Sequence, residues 1–206
     1  YAYLQTGQHP EALSVYSRLV SMFPRSAQAQ FNLSLAQSNS GNLASAEISL
    51  KKALLLDPGL APAQLALAAL QLKQGQSSEA LQLGLQAQKR HPKAAEGYLI
   101  EGDAQSARQQ YAAASAAFEK AYQLRNDSVA LIKWQNALRA QGKIADADLK
   151  LNAWLKIHPN DIAAHLNAAD AAMKTRRFDV AAEHYRQVLQ QQPAHIGARH
   201  NLLLCY

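Results

Sequence analysis

Apolar and small residues recur along the chain at helical spacing. Gly41 predicts a left-handed turn before one such stretch, and Pro58 ends the stretch because proline lacks an amide hydrogen. The apolar positions between these two residues are three and four apart, which places them on one face of a helix. They are Leu43, Ala46, Leu50 and Ala53. The pattern predicts an amphipathic helix from Leu43 to Leu56, preceded by another from Ala27 to Ser40.

The same pattern occurs six times. An alanine is followed twelve residues later by a closing residue, and successive closing residues are 34, 34, 34, 33 and 34 positions apart. The alanines are Ala12, Ala46, Ala80, Ala114, Ala147 and Ala181, and the closing residues are Pro24, Pro58, Pro92, Asn126, Pro159 and Pro193. A fixed period of this length predicts an array of helix pairs in which each unit packs on its neighbours.

Two further positions repeat with the period. The turn between the helices carries a glycine, at Gly7, Gly41, Gly75 and Gly142. Gln109 and Arg176 replace this glycine in two units, at an expected cost of about 1 kcal/mol each if the backbone is the same. The first helix carries a small residue that allows close helix contact, at Ser34, Ala68, Gly102 and Ala169.

This combination of period, turn glycine, alanine and closing proline resembles the tetratricopeptide repeat (TPR) over the whole chain. The resemblance implies an all-α fold, a right-handed superhelical solenoid of antiparallel helix pairs. We divide residues 1–206 as one array segment of a longer protein. The repeats are a partial one at 1–24, full ones at about 25–58, 59–92, 93–126, 127–159 and 160–193, and a partial one at 194–206.

The repeat at 127–159 departs most from the pattern. It is one residue short, and the spacing places the missing residue in the turn from Asn126 to Ser128. Gln135 takes the small position, and Trp154 stands where three other repeats have alanine, at Ala53, Ala87 and Ala121. Trp134 and Trp154 could build a binding feature, or the repeat could be a seam in the array. Compensation of large for small residues in a packed core is the other interpretation.

No motif predicts catalysis, a cofactor or a metal. The histidines lack the His-Glu-x-x-His spacing, and the single Cys205 has no Cys-x-x-Cys companion. The net charge is +6, of which residues 104–206 carry +5. That half could bind a polyanionic polysaccharide or nucleic acid, although its basic residues are spread along the helices.

The resemblance implies a non-enzymatic scaffold that binds a partner peptide or helix in a concave groove lined by the first helix of each pair. By the family's groove positions, the candidate residues are Phe31, Leu35, Asn39, Leu65, Leu72, Lys73, Leu99, Asp103, Ile132, Asn136, Arg139, Leu166, Asp170 and Lys174. Apolar residues flanked by amides and single charges suit a peptide. The apolar members could instead pack between neighbouring helices.

A finer resemblance concerns residues 154–161 (WLKIHPND) and 176–204. These segments are similar to later repeats of the TPR lipoproteins of bacterial exopolysaccharide and exosortase (PEP-CTERM) systems. That similarity implies a location in the periplasm or at the outer membrane, with a lipid anchor outside this segment, and polysaccharide-export machinery as a partner. A cytoplasmic location is the alternative.

Overall fold

The computed structural model describes residues 9–206, and the regular structure in that range is helical. Twelve helices follow one another with short connections: α1 (His9–Met22), α2 (Ala27–Asn39), α3 (Leu43–Leu56), α4 (Ala61–Lys73), α5 (Ser77–Arg90), α6 (Glu96–Ala107), α7 (Tyr111–Arg125), α8 (Ser128–Ala140), α9 (Ile144–Ile157), α10 (Ile162–Lys174), α11 (Phe178–Gln191) and α12 (Ile196–Leu203). Within residues 9–109, and again within residues 110–206, sequential helices pack as antiparallel neighbours. The predicted all-α fold of helix pairs is confirmed.

The chain divides into two compact units, residues 1–109 and 110–206. The described part of the first unit holds α1 to α6, and the second holds α7 to α12. The boundary falls in the turn within the repeat at 93–126, and not at the irregular repeat that follows. The division of the chain into one array segment stays a prediction.

The repeating alanine lies in the core of every repeat. Its side chain is completely buried in all six repeats, from Ala12 to Ala181. The large residue four positions later is also buried in five of them, at Tyr16, Leu50, Phe118, Leu151 and Tyr185. A small and a large residue four positions apart thus share the buried face of the second helix in these repeats.

The turns within the pairs share one backbone conformation. Gly41, Gly75 and Gly142 have φ angles of 78°, 78° and 80°. Around Gly41, the Asn42 amide donates to the Gln37 carbonyl, and the Gly41 amide donates to the Ser38 carbonyl. These two bonds form a Schellman motif that ends α2. Gln109 and Arg176 adopt the same left-handed region, with φ of 59° and 57°. The predicted substitution for glycine is therefore confirmed, while Gly7 lies outside the described residues.

The irregular repeat begins with a shortened connection. Two residues separate α7 from α8, whereas four separate α3 from α4. Asn126 ends α7 in the left-handed region, with φ of 50°, and the Asp127 side chain caps α8 by accepting from the Ala130 amide. The predicted site of the missing residue is confirmed.

A close helix crossing in the first unit was not predicted. Gly84 takes the place held by a large residue in the other repeats. A Cβ built on it would lie 2.9 Å from the Glu101 nitrogen and from the Gly97 oxygen. The backbones of α5 and α6 are therefore in direct contact, and Gln88 Nε2 spans them by donating to Gly97 O at 3.2 Å.

Candidate functional site

The predicted groove residues lie on the first helix of each pair, on α2, α4, α6, α8 and α10. Their apolar members are largely covered by neighbouring side chains. Leu99 is 3% exposed, and Phe31, Leu65, Leu72 and Leu166 pack partly buried against core clusters. Leu35 and Ile132 are half-buried. These side chains contribute to packing between helices, the alternative that the sequence left open.

The polar members reach the surface to different degrees. Asn39, Lys73, Asn136, Asp170 and Lys174 are exposed. Arg139 and Asp103 are half-buried, and both take part in polar interactions. The structure brings four of the predicted polar residues together at one place in the second unit.

That place is a cavity between α8 and α10, here named the groove cavity. It has a volume of about 520 Å³ and is lined by Asn136, Arg139, Ala140, Ile144, Asn167, Asp170, Ala171, Lys174 and Thr175. Most of the lining comes from two adjacent first helices of pairs, where residues three and four apart share one face. Alanines at Ala140 and Ala171 leave the space open between the polar side chains.

Two asparagines meet across the groove cavity. Asn167 Nδ2 on α10 donates to Asn136 Oδ1 on α8 at 3.4 Å, which is long for a hydrogen bond between an amide and an oxygen. Asn167 Oδ1 is buried and has no hydrogen-bond partner. The carboxamides therefore have donor and acceptor capacity that a bound molecule could use.

On the positive side of the groove cavity, one carboxylate forms ion pairs with two arginines. Asp148 on α9 pairs with Arg139 through Oδ1, and with Arg177 Nη2 through Oδ2 at 3.4 Å. The Arg139 Nε is buried without a partner. Because Asp148 is shared by two guanidinium groups, the local charge around Arg139 stays positive.

The negative side is fixed by a hydrogen-bonded chain beneath Asp170. The Tyr185 hydroxyl donates to Asp170 Oδ1 at 2.9 Å and accepts from Asn201 Nδ2 at 3.2 Å. Burial, followed by the hydrogen bond to Asp170, raises the pKa of Tyr185 to about 12. The hydroxyl thus keeps its proton and orients the carboxylate at the cavity wall.

Sequence reasoning found Asn136, Arg139, Asp170 and Lys174 but did not predict Asn167 or Thr175 as lining residues. Asn167 lies one helical turn before Asp170, so its position on the same face was a usable signal. Thr175 and Ile144 lie at the ends of helices, where the helical period no longer states which way a side chain points. The ion pairs of Asp148 join α9 to α8 and to the turn before α11, and they had no sequence signal.

Trp134 and Trp154 are both 7% exposed, and both pack against Tyr122. Their ring centroids lie 5.7 Å and 6.1 Å from that of Tyr122. Large rings thus fill the core of the irregular repeat, as the packing interpretation expects. Gln135 is completely buried beside them and donates to Ala147 O at 3.1 Å.

A pair of histidines joins α10 to α11. His165 Nε2 lies 2.9 Å from the Pro159 carbonyl and must donate to it, since a carbonyl only accepts. His165 Nδ1 lies 2.9 Å from His184 Nδ1, and one of these two nitrogens carries the shared proton. Burial, and then the charge of His165, lowers the pKa of His184.

Within residues 9–206, no three His, Cys, Asp or Glu side chains come close enough together to hold a metal ion. Cys205 is a half-buried free thiol. Among the helices that the structure describes, none combines the length and apolarity needed to cross a bilayer.

Comparison with known proteins identifies the repeat. The family model of the tetratricopeptide repeat matches residues 1–62, 65–129 and 134–196. No curated protein matches the chain in sequence.

Several solved structures share the fold. A thermophilic TPR protein of Thermus thermophilus is 20% identical, with a TM-score of 0.72 over 87% of this chain and 98% of its own. The pilF protein of Pseudomonas aeruginosa is 20% identical, with a TM-score of 0.67 over 97% and 91%. YrrB, described as a TPR protein with an unusual peptide-binding site, is 20% identical, with a TM-score of 0.55 over 92% and 98%.

Proposed function

The chain belongs to the tetratricopeptide repeat family, and on that premise we propose that it is a non-enzymatic scaffold that binds an extended partner segment in the groove cavity. Repeats of this family generally serve protein–protein interaction. The fold alone does not define the function, so the proposal depends on the site. The site is the polar cavity between α8 and α10.

The observation that carries the proposal is the pair of facing carboxamides. An asparagine side chain offers a donor and an acceptor side by side, which matches the N–H and C=O of a peptide backbone. The weak 3.4 Å contact between Asn136 and Asn167 is easily exchanged for two bonds to a ligand. The unpaired Asn167 Oδ1 gains a partner in that exchange after a small rotation.

The charges of the groove cavity favour a segment that carries complementary charges. Arg139 and Lys174 suit a carboxylate or a backbone carbonyl, while Asp170 suits a basic side chain or an amide donor. A segment that places opposite charges against these residues gains specificity as well as affinity. YrrB, which shares the fold, has a peptide-binding site, and this supports the same use of the fold here.

A location in the bacterial envelope, next to exopolysaccharide-export or protein-sorting machinery, is the finer part of the proposal. It is supported by the similarity of residues 154–161 and 176–204 to TPR lipoproteins of PEP-CTERM systems. Fractionation of the native cell tests the location. Recovery of the protein in the cytosol alone would contradict it.

Binding of a polyanion through the basic half is less well supported by the contacts. Arg125 pairs with Asp127, and Asp148 holds both Arg139 and Arg177. These pairs reduce the positive charge that is free to meet phosphate or uronate groups. Binding that weakens steeply with added salt would favour this alternative.

The groove proposal is tested by purifying partners from the native cell with the wild type and with the double variant Asn136→Ala, Asn167→Ala. The matched control is Asn160→Ala, an exposed asparagine in the turn before α10. Loss of two to three hydrogen bonds should weaken partner binding by about tenfold or more. Unchanged partner recovery with the double variant would refute the groove proposal.

A further inference from the structure

A second cavity lies where α7 and α9 end and α8 begins. It has a volume of about 390 Å³ and shares no lining residue with the groove cavity. The lining residues are Tyr122, Gln123, Asn126, Leu131, Trp134, Lys150, Ala153, Trp154, Ile157 and His158. We name it the aromatic cavity. Its volume falls in the range of cavities that hold a bound molecule.

The aromatic wall is rigidly built. Trp154 lies edge-on to Tyr122, and it also packs against the ring of His158, with centroids 3.9 Å apart and an angle of 32° between the ring planes. Trp154 Nε1 donates to Asp161 Oδ2 at 2.8 Å, so the indole cannot rotate without losing this bond. Burial raises the pKa of Asp161, but bonds from the Ala164 amide and from Trp154 outweigh it and keep the pKa low.

The aromatic cavity arises where the chain departs from its own repeat. The position of Trp154 is alanine in the three preceding repeats, at Ala53, Ala87 and Ala121. The two-residue connection from α7 to α8 brings Tyr122 close to both tryptophans. Packing in the core explains why the two rings are buried, but it does not explain why a cavity stays open beside them.

The charge at the mouth is positive. Lys150 Nζ lies 3.9 Å from the centre of the Trp134 ring, and the lining includes no carboxylate. Throughout residues 9–206, no carboxylate makes an ion pair with Lys150, whose ammonium group contacts the ring instead. An ammonium group held over an aromatic face stays available to a carboxylate that enters beside it.

Exposed apolar side chains extend the surface beyond the aromatic cavity. Leu149 and Ile157 are 70% and 74% exposed, and with Ala153 they form a stripe along α9, four residues apart. Lys156 is exposed on the same helix. A small metabolite would leave this stripe uncovered, whereas a peptide segment can cover it.

We propose that the aromatic cavity binds one large apolar side chain of an acidic partner segment, with a carboxylate of that segment beside Lys150. The segment would lie along α9 over Leu149 and Ile157. This site is independent of the groove cavity, so the scaffold would hold two partner segments, or two parts of one partner, on separate surfaces.

The two tryptophans of the protein are Trp134 and Trp154, so intrinsic fluorescence reports on this cavity alone. The probe is a blocked heptapeptide with a central phenylalanine between glutamates, titrated at 295 nm excitation. We expect a saturable shift of the emission. Matched peptides carry serine for phenylalanine, or lysines for the glutamates. We expect no saturable shift with the serine peptide and weaker binding of the lysine peptide than of the acidic one.

Variants separate the site from the fold. Ala153→Glu places a carboxylate at the mouth and should abolish binding, while the neighbouring Asn152→Glu adds the same charge outside the lining and should bind as the wild type does. Lys150→Gln should weaken binding by about three- to fivefold. Circular dichroism spectra and melting temperatures of all variants confirm that they are folded.

Three results would overturn the proposal. The first is the absence of a saturable shift with the acidic peptide, and the second is binding of the Ala153→Glu variant with wild-type affinity. The third is equal affinity for the lysine peptide or for 3-phenylpropionate alone, which would mean that the acidic segment contributes nothing. Variants of Asn136 and Asn167 should leave this titration unchanged, so the two proposals can fail separately.

Discussion

Residues 59–92 and 127–159 form the same kind of helix pair, yet the ends of the two pairs differ. At the end of α5, Ala87 and His91 border a cavity of about 210 Å³. At the corresponding positions of α9, Trp154 and His158 border the aromatic cavity of about 390 Å³. At this position the first repeat has alanine, the smallest apolar side chain, and the second has tryptophan, the largest.

The contact with the following helix also differs. In the first unit, Gly84 and Gly97 allow the backbones of α5 and α6 to touch. In the second unit, the corresponding residues of α9 and α10 are Leu151 and Ala164, which are both buried, so side chains separate the two backbones. The comparison shows that departures from the repeat change both the size of the cavity at the end of a helix pair and the closeness of the next helix.

Trp154→Ala should have the largest effect on stability. It removes a buried ring that contacts Tyr122 and His158, and it leaves Asp161 without its indole donor. We expect a loss of about 3–5 kcal/mol in the free energy of unfolding, measured by urea titration. The exposed Ile157→Ala is the control and should lose less than about 0.5 kcal/mol. Equal losses would mean that the ring is not part of the core.

Gly84→Ala should have the second-largest effect on stability. The new Cβ would lie 2.9 Å from backbone atoms of α6, which cannot move aside as a flexible side chain could. We expect a loss of about 3 kcal/mol by the same titration. Gly41→Ala meets no atom within 4 Å and loses only the cost of its left-handed backbone, about 1 kcal/mol. A Gly84 variant as stable as the Gly41 variant would contradict the backbone contact.

Arg176→Gly should increase stability. Arg176 is exposed and holds a φ of 57°, a region that glycine occupies without steric cost. A gain of about 1 kcal/mol is expected in thermal or urea unfolding. Gln109→Gly at φ of 59° offers the matched change at the boundary of the first unit. Loss of stability in both variants would show that contacts of the two side chains contribute more to the free energy of unfolding than the left-handed backbone costs.

The smallest of these effects concerns pH. Acid should reduce the stability of the second unit through the pair His165 and His184. The pKa of His184 is lowered from 6.5 by burial and by His165, and Glu183 only partly opposes this. The unfolded chain therefore takes up the proton first as pH falls below 6.5, and stability declines until the folded group is also protonated. In the His184→Gln variant, the midpoint of urea unfolding should change less between pH 7 and pH 5 than it does in the wild type. An unchanged slope would exclude His184 as the cause.

The sequence predicted the features that the helical period controls. The helix pair around Gly41, the buried alanines and the left-handed Gln109 and Arg176 follow from spacing and backbone chemistry, and the structure contains all of them. The missing residue at Asn126 was also located correctly.

The features that were missed depend on contacts between helices. The period states that residue 84 faces a neighbouring helix, but not that glycine there meets another glycine on α6. Asp148 was not predicted to bridge two arginines, because rotamers of three separate elements decide that contact. Lys150 over Trp134 had no signal for the same reason.

The most direct test of the groove cavity is site-specific photocrosslinking in the native cell. A benzophenone amino acid at Ala140 lies in the lining of the groove cavity, and one at the exposed Gln190 on α11 lies outside it. We predict a discrete protein adduct from position 140 that is absent from position 190 and is lost in the Asn136→Ala, Asn167→Ala background. The same adducts from both positions, or an adduct from 140 that survives the double substitution, would contradict the account.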